Sequence, residues 1–188
     1  MRFPTVLALA SDLSAGRTTS RRLVEQCLTR INDPKGEGAR AFTKVYADAA
    51  LAEAEALDHV WGYGVGIDLT RRDIQNKAKE TGRPWDMGKG FDNSAPCTAL
   101  RPVSDVGHPD TGEGAIWIKV NGETKQESTL DLHIWGTAET INYLSGLCEL
   151  QPGDLIYMGT PEGVAAVVSG DTMEGHIDGV GDLTIKIA

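Results

Sequence analysis

Along the first 57 residues the apolar positions recur at helical spacing. Leu7 and Leu13, then Leu23, Val24, Leu28 and Ile31, fit two amphipathic segments broken at Gly16. Thr18, Thr19 and Ser20 are N-cap candidates for the second segment, because a short hydroxyl accepts from the free amides of a first turn. That helix is expected to stop at Asp33-Pro34-Lys35-Gly36. Residues 41–46 alternate as a short strand does, and residues 47–57 are strongly helix-forming. Beyond residue 58 the pattern changes. Residues 60–67 read as a strand whose glycines imply close backbone approach. Thr70-Arg71-Arg72-Asp73 has the spacing of a capping box with Asp in place of Glu, opening a helix that ends by Gly82-Arg83-Pro84. Further strands are expected at 115–120, 124–129, 154–158 and 183–187, with an Asn121-Gly122 hairpin between the first two and a helix over 138–147.

Composition sharpens this change into a seam. Residues 1–57 carry 8 Lys+Arg against 7 Asp+Glu, a net of +1, whereas residues 58–188 carry 10 against 20, a net of −10. The first stretch holds 11 of the 19 alanines, 3 of the 22 glycines and no tryptophan. Alanine without glycine favours helix; glycine with tryptophan favours strands, tight turns and shaped pockets. The expected class is α+β, a helical segment 1–57 joined to a β-rich domain 58–188. A net charge of −9 disfavours a nucleic-acid partner. No apolar run reaches the roughly 18 residues of a membrane helix, and Met1-Arg2-Phe3-Pro4 opens a poor secretory signal. Cys27, Cys97 and Cys148 form no CxxC and cannot all pair, which fits a reduced cytoplasmic setting.

Three segments can carry chemistry. In Gly66-Ile67-Asp68-Leu69-Thr70-Arg71-Arg72-Asp73-Ile74-Gln75, an acid ends a glycine-rich strand, and Arg72 and Gln75 share one helix face. A carboxylate, a guanidinium and an amide together suit a metal and an anionic, oxygen-rich ligand. The same spacing equally suits Asp68 as a helix cap with Arg72 and Asp73 solvated. Lys89, between glycines in an apolar and aromatic loop, can stabilise an oxyanion or simply face water. Thr160, in Gly159-Thr160-Pro161-Glu162-Gly163-Val164, can hold a carboxylate or merely turn the chain. No P-loop, GxSxG or HExxH occurs, and His59, His108, His133 and His176 have no ligand spacing.

Taken together, five segments resemble the fumarylacetoacetate hydrolase family, most closely its fumarylpyruvate and acylpyruvate hydrolase branch. They are residues 62–75, Gly82-Arg83-Pro84-Trp85-Asp86 through Lys89-Gly90-Phe91-Asp92, Ser94-Ala95-Pro96, Leu150-Gln151-Pro152-Gly153-Asp154 and Gly159 through Val164. The resemblance covers about residues 60–188. It implies a mixed β-roll, here N-terminally incomplete, and a cytoplasmic homodimer of aromatic catabolism. The implied reaction is cleavage of a carbon–carbon bond in a small 1,3-diketo acid with a divalent ion, Mg²⁺ or else Mn²⁺ or Ca²⁺. By motif, Asp68 resembles a metal ligand, Arg72, Gln75 and Thr160 substrate contacts, and Lys89 the oxyanion-stabilising lysine. Neither nucleic acid nor membrane is an implied partner.

The family also supplies two metal-binding glutamates in a Glu-x-Glu strand and a water-activating His/Glu pair, upstream of the segment matching 60–75. Here Glu53-Ala54-Glu55 is the sole Glu-x-Glu, and it lies in a helix-forming stretch where i and i+2 face apart. Residues 5–57 instead resemble the N-terminal helices of the amidase signature family, through Leu13–Ser20 and the segments around Cys27-Leu28-Thr29 and Ala39–Thr43, without that family's catalytic lysine or serines. Two outcomes follow from the resemblances. One is a diketo-acid hydrolase impaired by missing glutamates; the other is a catalytically silent fusion or remnant that binds carboxylates or serves assembly.

Overall fold

Short hydroxyl side chains open the first two helices. The computed structural model describes residues 4–42 and 44–188. Thr5 accepts from the Ala8 amide at 3.2 Å to start α1 (Val6–Ser14), and Thr19 accepts from the Arg22 amide at 3.2 Å to start α2 (Ser20–Ile31). Between them Gly16 turns at φ +65°. The order continues with the single turn α3 (Gly38–Ala41), α4 (Ala47–Ala56), β1 (Gly62–Tyr63), α5 (Arg72–Glu80) and α6 (Asp86–Lys89). After β2 (Arg101–Pro102) and α7 (Val103–Val106) come β3 (Ala115–Val120), β4 (Glu123–Thr129), α8 (Thr137–Ser145), β5 (Thr172–Ile177) and β6 (Gly181–Lys186).

The chain forms two compact units, Met1–Trp61 with Trp135–Asp154, and Gly62–Ile134 with Leu155–Ala188. In the first, α4 packs against both α2 and α8 and buries Ala54 and Ala56. Arg21 on α2 ties to Glu25 one turn on and to Glu55 on α4. Glu53-Ala54-Glu55 therefore lies on a helix, as expected, and Glu55 is ion-paired. The expected strand at 41–46 does not form: Ala41 ends α3 and residues 44–46 are irregular. Thr43 of that segment, and Met1-Arg2-Phe3 of the leader reading, lie outside the described residues.

In the second unit a four-stranded antiparallel sheet has the order β4-β3-β5-β6. Asn121 (φ +52°) and Gly122 (φ +80°) make the tight hairpin turn that joins β3 to β4. One sheet face presents Ile118, Val120, Met173, Leu183 and Ile185, and its core gathers Val120 and Met173 around Ile67. Burial of these side chains from water is the main stabilising contribution, at about 25 cal/mol per Å² of apolar surface.

Two strands depart from the pattern reading. Residues 60–67 pair as a strand only at Gly62–Tyr63, opposite Pro102 and Arg101. The chain then runs extended beside residues 94–98, with Gly66 bridging Cys97 and the amides of Ile67 and Leu69 donating to Pro96 and Ser94 at 3.0 and 2.8 Å. Residues 154–158 form no ladder, because Asp154 closes a turn by accepting from the Gln151 amide at 2.8 Å. The strand that does form there in sequence order is β5, whose Gly175 and charged Glu174 and His176 disguise it, since glycine is depleted in strands.

The opposite face of the sheet carries His176. Its ring stacks on Trp117 with centroids 5.0 Å apart, while Nδ1 and Nε2 lie 2.7 and 2.8 Å from carboxylate oxygens of Asp182 and Asp178. Only the imidazolium can donate at both nitrogens. The hydrogen bond to Asp178, then that to Asp182, raises the His176 pKa above its ordinary value. Asp178 is lowered, first by the Ala115 amide and then by His176. A raised histidine stabilises the fold fully below its unfolded pKa of about 6.5 and loses that contribution as pH rises through the folded value. The lowered Asp178 contributes above the ordinary carboxylate range and loses its share as pH falls through its folded value. Thermal unfolding of the wild type and His176→Gln should therefore differ most near pH 5.5–6.5, roughly between those two limits, and converge at alkaline pH. A difference that grows with pH would contradict this pairing.

Candidate functional site

Alternation along the extended segment sets the site. Val65 and Ile67 turn inward, at 2% and 6% exposure, so Gly66 and Asp68 face the other way. Above Gly66 lies the ring of Tyr157; a Cβ on residue 66 would stand 2.5 Å from its Cε1. The Tyr157 hydroxyl donates to the Ala95 carbonyl at 2.8 Å. Burial pushes the Tyr157 phenol pKa up, and the neighbouring Cys97 and Asp68 add to the rise.

Asp68 meets Lys89. The ammonium lies 2.6 Å from Asp68 Oδ2, with the Lys89 and Asp68 side chains 35% and 44% exposed. Exposure of that degree limits the pair to about 0–1 kcal/mol of stability, so its position must be fixed by the surrounding chain. The Arg71 amide donates to the Gly88 carbonyl at 2.9 Å, the Arg71 guanidinium stacks 4.3 Å from the Phe91 ring centroid, and the Lys79 ammonium sits 4.9 Å from that of Trp85. Gly88 lies so close to α5 that an added Cβ would come 3.3 Å from Gln75 Cβ. These contacts pin the 85–91 segment, and Lys89 with it, onto the start of α5.

Arg72 and Gln75 share one face of α5, as their spacing requires, and the guanidinium donates to Gln75 Oε1 at 2.8 Å. Gln75 is 2% exposed, whereas Arg72 remains accessible and forms no ion pair among the described residues. The expected capping box is absent: Arg71 is the N-cap, without a side-chain cap bond. Asp68, Lys89, Arg72 and Gln75 are thus gathered in two bonded pairs joined through Arg71 and Gly88. Thr160 stands apart from these contacts. Its hydroxyl donates to Gln126 Oε1 on β4 at 3.1 Å, while Gln126 Nε2 donates to the Pro161 carbonyl at 2.6 Å. Gly163, at φ +98°, brings the same loop so near β4 that a Cβ would lie 2.2 Å from the Lys125 carbonyl oxygen. Sequence reading missed Gln126 and Tyr157; a glutamine on an alternating strand carries no signal that sets it apart from a solvent-facing one.

The sequence model described as "Fumarylacetoacetate (FAA) hydrolase C-terminal" matches residues 40–188. The chain belongs to the fumarylacetoacetate hydrolase family. The match reaches back into α3 and α4, upstream of the five motifs. A fumarylpyruvate hydrolase of Ralstonia sp is 44% identical over 137 residues, covering 73% of this chain and 70% of that protein. The mitochondrial oxaloacetate tautomerase of Rattus norvegicus is 41% identical over 138 residues, covering 73% of this chain and 62% of that protein. The crystal structure of fumarylpyruvate hydrolase from Pseudomonas aeruginosa, in complex with Mn²⁺ and pyruvate, has a TM-score of 0.69 and 52% identity, covering 72% of this chain and 57% of that chain. This family member therefore spans about three-fifths of the length of several of its relatives.

The donor set does not fit a resident divalent ion. Among the described residues no group of three or more His, Cys, Asp or Glu side chains could hold a metal. Asp68 offers one carboxylate, and its Oδ2 is already shared with an ammonium at 2.6 Å. Mg²⁺, Mn²⁺ and Ca²⁺ sites draw on several oxygen ligands, and a lone exposed carboxylate holds such ions weakly.

The close seating of Tyr157 over Gly66 gives a direct check. Gly66→Ala should destabilise the fold by about 1–3 kcal/mol, as overpacking does, measured by urea unfolding. Combining it with Tyr157→Leu should recover some of that loss, whereas an unchanged midpoint in Gly66→Ala would show that the ring does not sit there.

Proposed function

We propose that this chain binds the oxo-carboxylate end of a small 1,3-diketo acid of the fumarylpyruvate or acylpyruvate type, and that carbon–carbon cleavage by it is impaired. The observation that carries this reading is the 2.6 Å Lys89–Asp68 contact beside the Arg72–Gln75 pair. Arg72 supplies a guanidinium fork for the ligand carboxylate, with Gln75 orienting it. Lys89 supplies the cation for the oxo oxygen, where negative charge collects as an enolate when the bond between the central carbon and the second carbonyl breaks. Thr160, held by Gln126, is a further hydroxyl contact for a carboxylate. Asp68 acts here as the partner that orients Lys89. Hydrolysis would also need an activated water, and this sequence has no His/Glu pair at the place where the family resemblance puts one.

A second reaction on the same oxo-carboxylate end, now of a 2-oxo diacid, is favoured by the 41% identity to an oxaloacetate tautomerase. Keto–enol interconversion takes a proton from the carbon beside the oxo group and returns one to its oxygen; it consumes no water but still needs a base at that carbon, with Lys89 placed to stabilise the enolate oxygen. Association as a cytoplasmic homodimer belongs to the same reading. Supporting it are the outer edges of β4 and β6, which pair with no further strand among the described residues, and the exposed Leu132 and Ile134, at 69% and 94%. The division into a helical segment over residues 1–57 and a family-type β-roll over residues 58–188 is likewise proposed, with no amidase activity assigned to the first.

Pyruvate and an acylpyruvate should both bind the purified chain, followed by ligand-observed NMR. Arg72→Ala should weaken binding by roughly tenfold or more, the scale of a lost charge-assisted hydrogen bond. Lys89→Ala should lower any turnover of an acylpyruvate by about 10²–10³-fold, the cost of removing an oxyanion donor. Wild-type hydrolysis at the rate of an unimpaired enzyme would overturn the impairment, and unchanged binding by Arg72→Ala would overturn the site.

A further inference from the structure

We infer that Lys89 is itself the resident cation of this site, so that the chain takes its oxo-carboxylate ligand without a divalent metal ion. The inference rests on the oxo-acid reading above and departs from the relative whose structure holds Mn²⁺ and pyruvate.

Three features lead to it. First, Asp68 is a lone carboxylate whose Oδ2 is taken by the ammonium at 2.6 Å, and no larger cluster of ligating side chains surrounds it among the described residues. Second, the lysine is held in that position by its backbone. Arg71 binds the Gly88 carbonyl and stacks on Phe91, Lys79 caps Trp85, and Gly88 abuts Gln75, so the residues on both sides of Lys89 are tied to α5. These contacts fix the backbone at residue 89 and keep the ammonium within reach of Asp68, so a metal there would have to share the carboxylate with it. Third, the local charges already suit the ligand. Asp68 is paired with Lys89, and Arg72, which has no ion-pair partner among the described residues, leaves its guanidinium for a ligand carboxylate.

A divalent ion bound to Asp68 would sit a few ångströms from the Lys89 ammonium. Even with the screening of bulk water, repulsion between two such charges weakens metal binding by roughly tenfold or more. The same ammonium polarises an oxo group by hydrogen bonding, which is the contribution a metal would otherwise make.

The test titrates Mn²⁺ alone into the full chain, reading free Mn²⁺ by electron paramagnetic resonance, for wild type, Lys89→Met and Asp68→Asn. In parallel, pyruvate binding is measured by NMR in EDTA and in excess Mn²⁺, with melting curves confirming that each variant folds. Wild type should bind Mn²⁺ no tighter than about 1 mM, the weak end of exposed carboxylate sites. Lys89→Met should bind it roughly tenfold more tightly, because a like charge has gone, and adding Asp68→Asn to that variant should abolish the gain. Pyruvate affinity should be the same in EDTA and in Mn²⁺. Micromolar Mn²⁺ binding by wild type that Asp68→Asn removes, or pyruvate binding that appears only with Mn²⁺, overturns the inference alone. Pyruvate binding in neither condition overturns the oxo-acid reading and the inference with it.

Discussion

Everything that can act chemically in this chain depends on how residues 65–69 lie across the sheet. Gly175 leaves a gap in the apolar face of β5, and Val65 Cγ1 and Ile67 Cδ1 approach within 3.5 and 3.8 Å of where its Cβ would stand. Once those two side chains are buried, the two-residue period of extended backbone decides the rest. Gly66 must face Tyr157, and Asp68 must emerge on the same side, next to the turn that carries Lys89. A slip of one residue would exchange the buried and emergent sets, so hydrophobic packing also sets the register of the polar site.

On that foundation the polar groups are arranged by contacts that are individually weak. The Lys89–Asp68 pair is half in water and contributes little to stability. Its geometry comes from the aromatic and backbone contacts that fasten the 85–91 segment to α5. Those contacts come from Arg71, Phe91, Trp85 and Lys79, none of which is a candidate to touch a ligand. Gly88, just before Lys89, lets the chain pass close to α5, as its 3.3 Å approach to Gln75 shows.

Much of this is legible in the residues. Hydroxyl caps, the Asn121-Gly122 hairpin, α4, α8, β3 and β4 all follow local rules that the tertiary structure does not override. The likeness of the motifs is enough to name the family, and the i, i+3 spacing of Arg72 and Gln75 predicts their contact. What fails does so for nonlocal reasons. The sequence 172–177 reads as polar and glycine-broken, yet it is a central strand, because β3 and β6 pair with it on either side and Val65 and Ile67 pack over Gly175. Residues 154–158 have strand-like composition, but Asp154 is engaged in a turn and Tyr157 is directed onto Ala95 and Gly66. Gln126 and Tyr157 escape notice because their roles exist only through partners distant in sequence.

The seam at residue 57, so plain in charge and glycine content, is not where the structure could be cut. Residues 135–154 lie in the same compact unit as the opening helices, with α8 resting on α4. Trimming the front of the chain would strip α8 of its packing partner, and expressing the front alone would bare the face of α4 that α8 covers. The shape of α4 is thus constrained by a helix about eighty residues further along the chain, and a side chain changed on one has to be matched on the other.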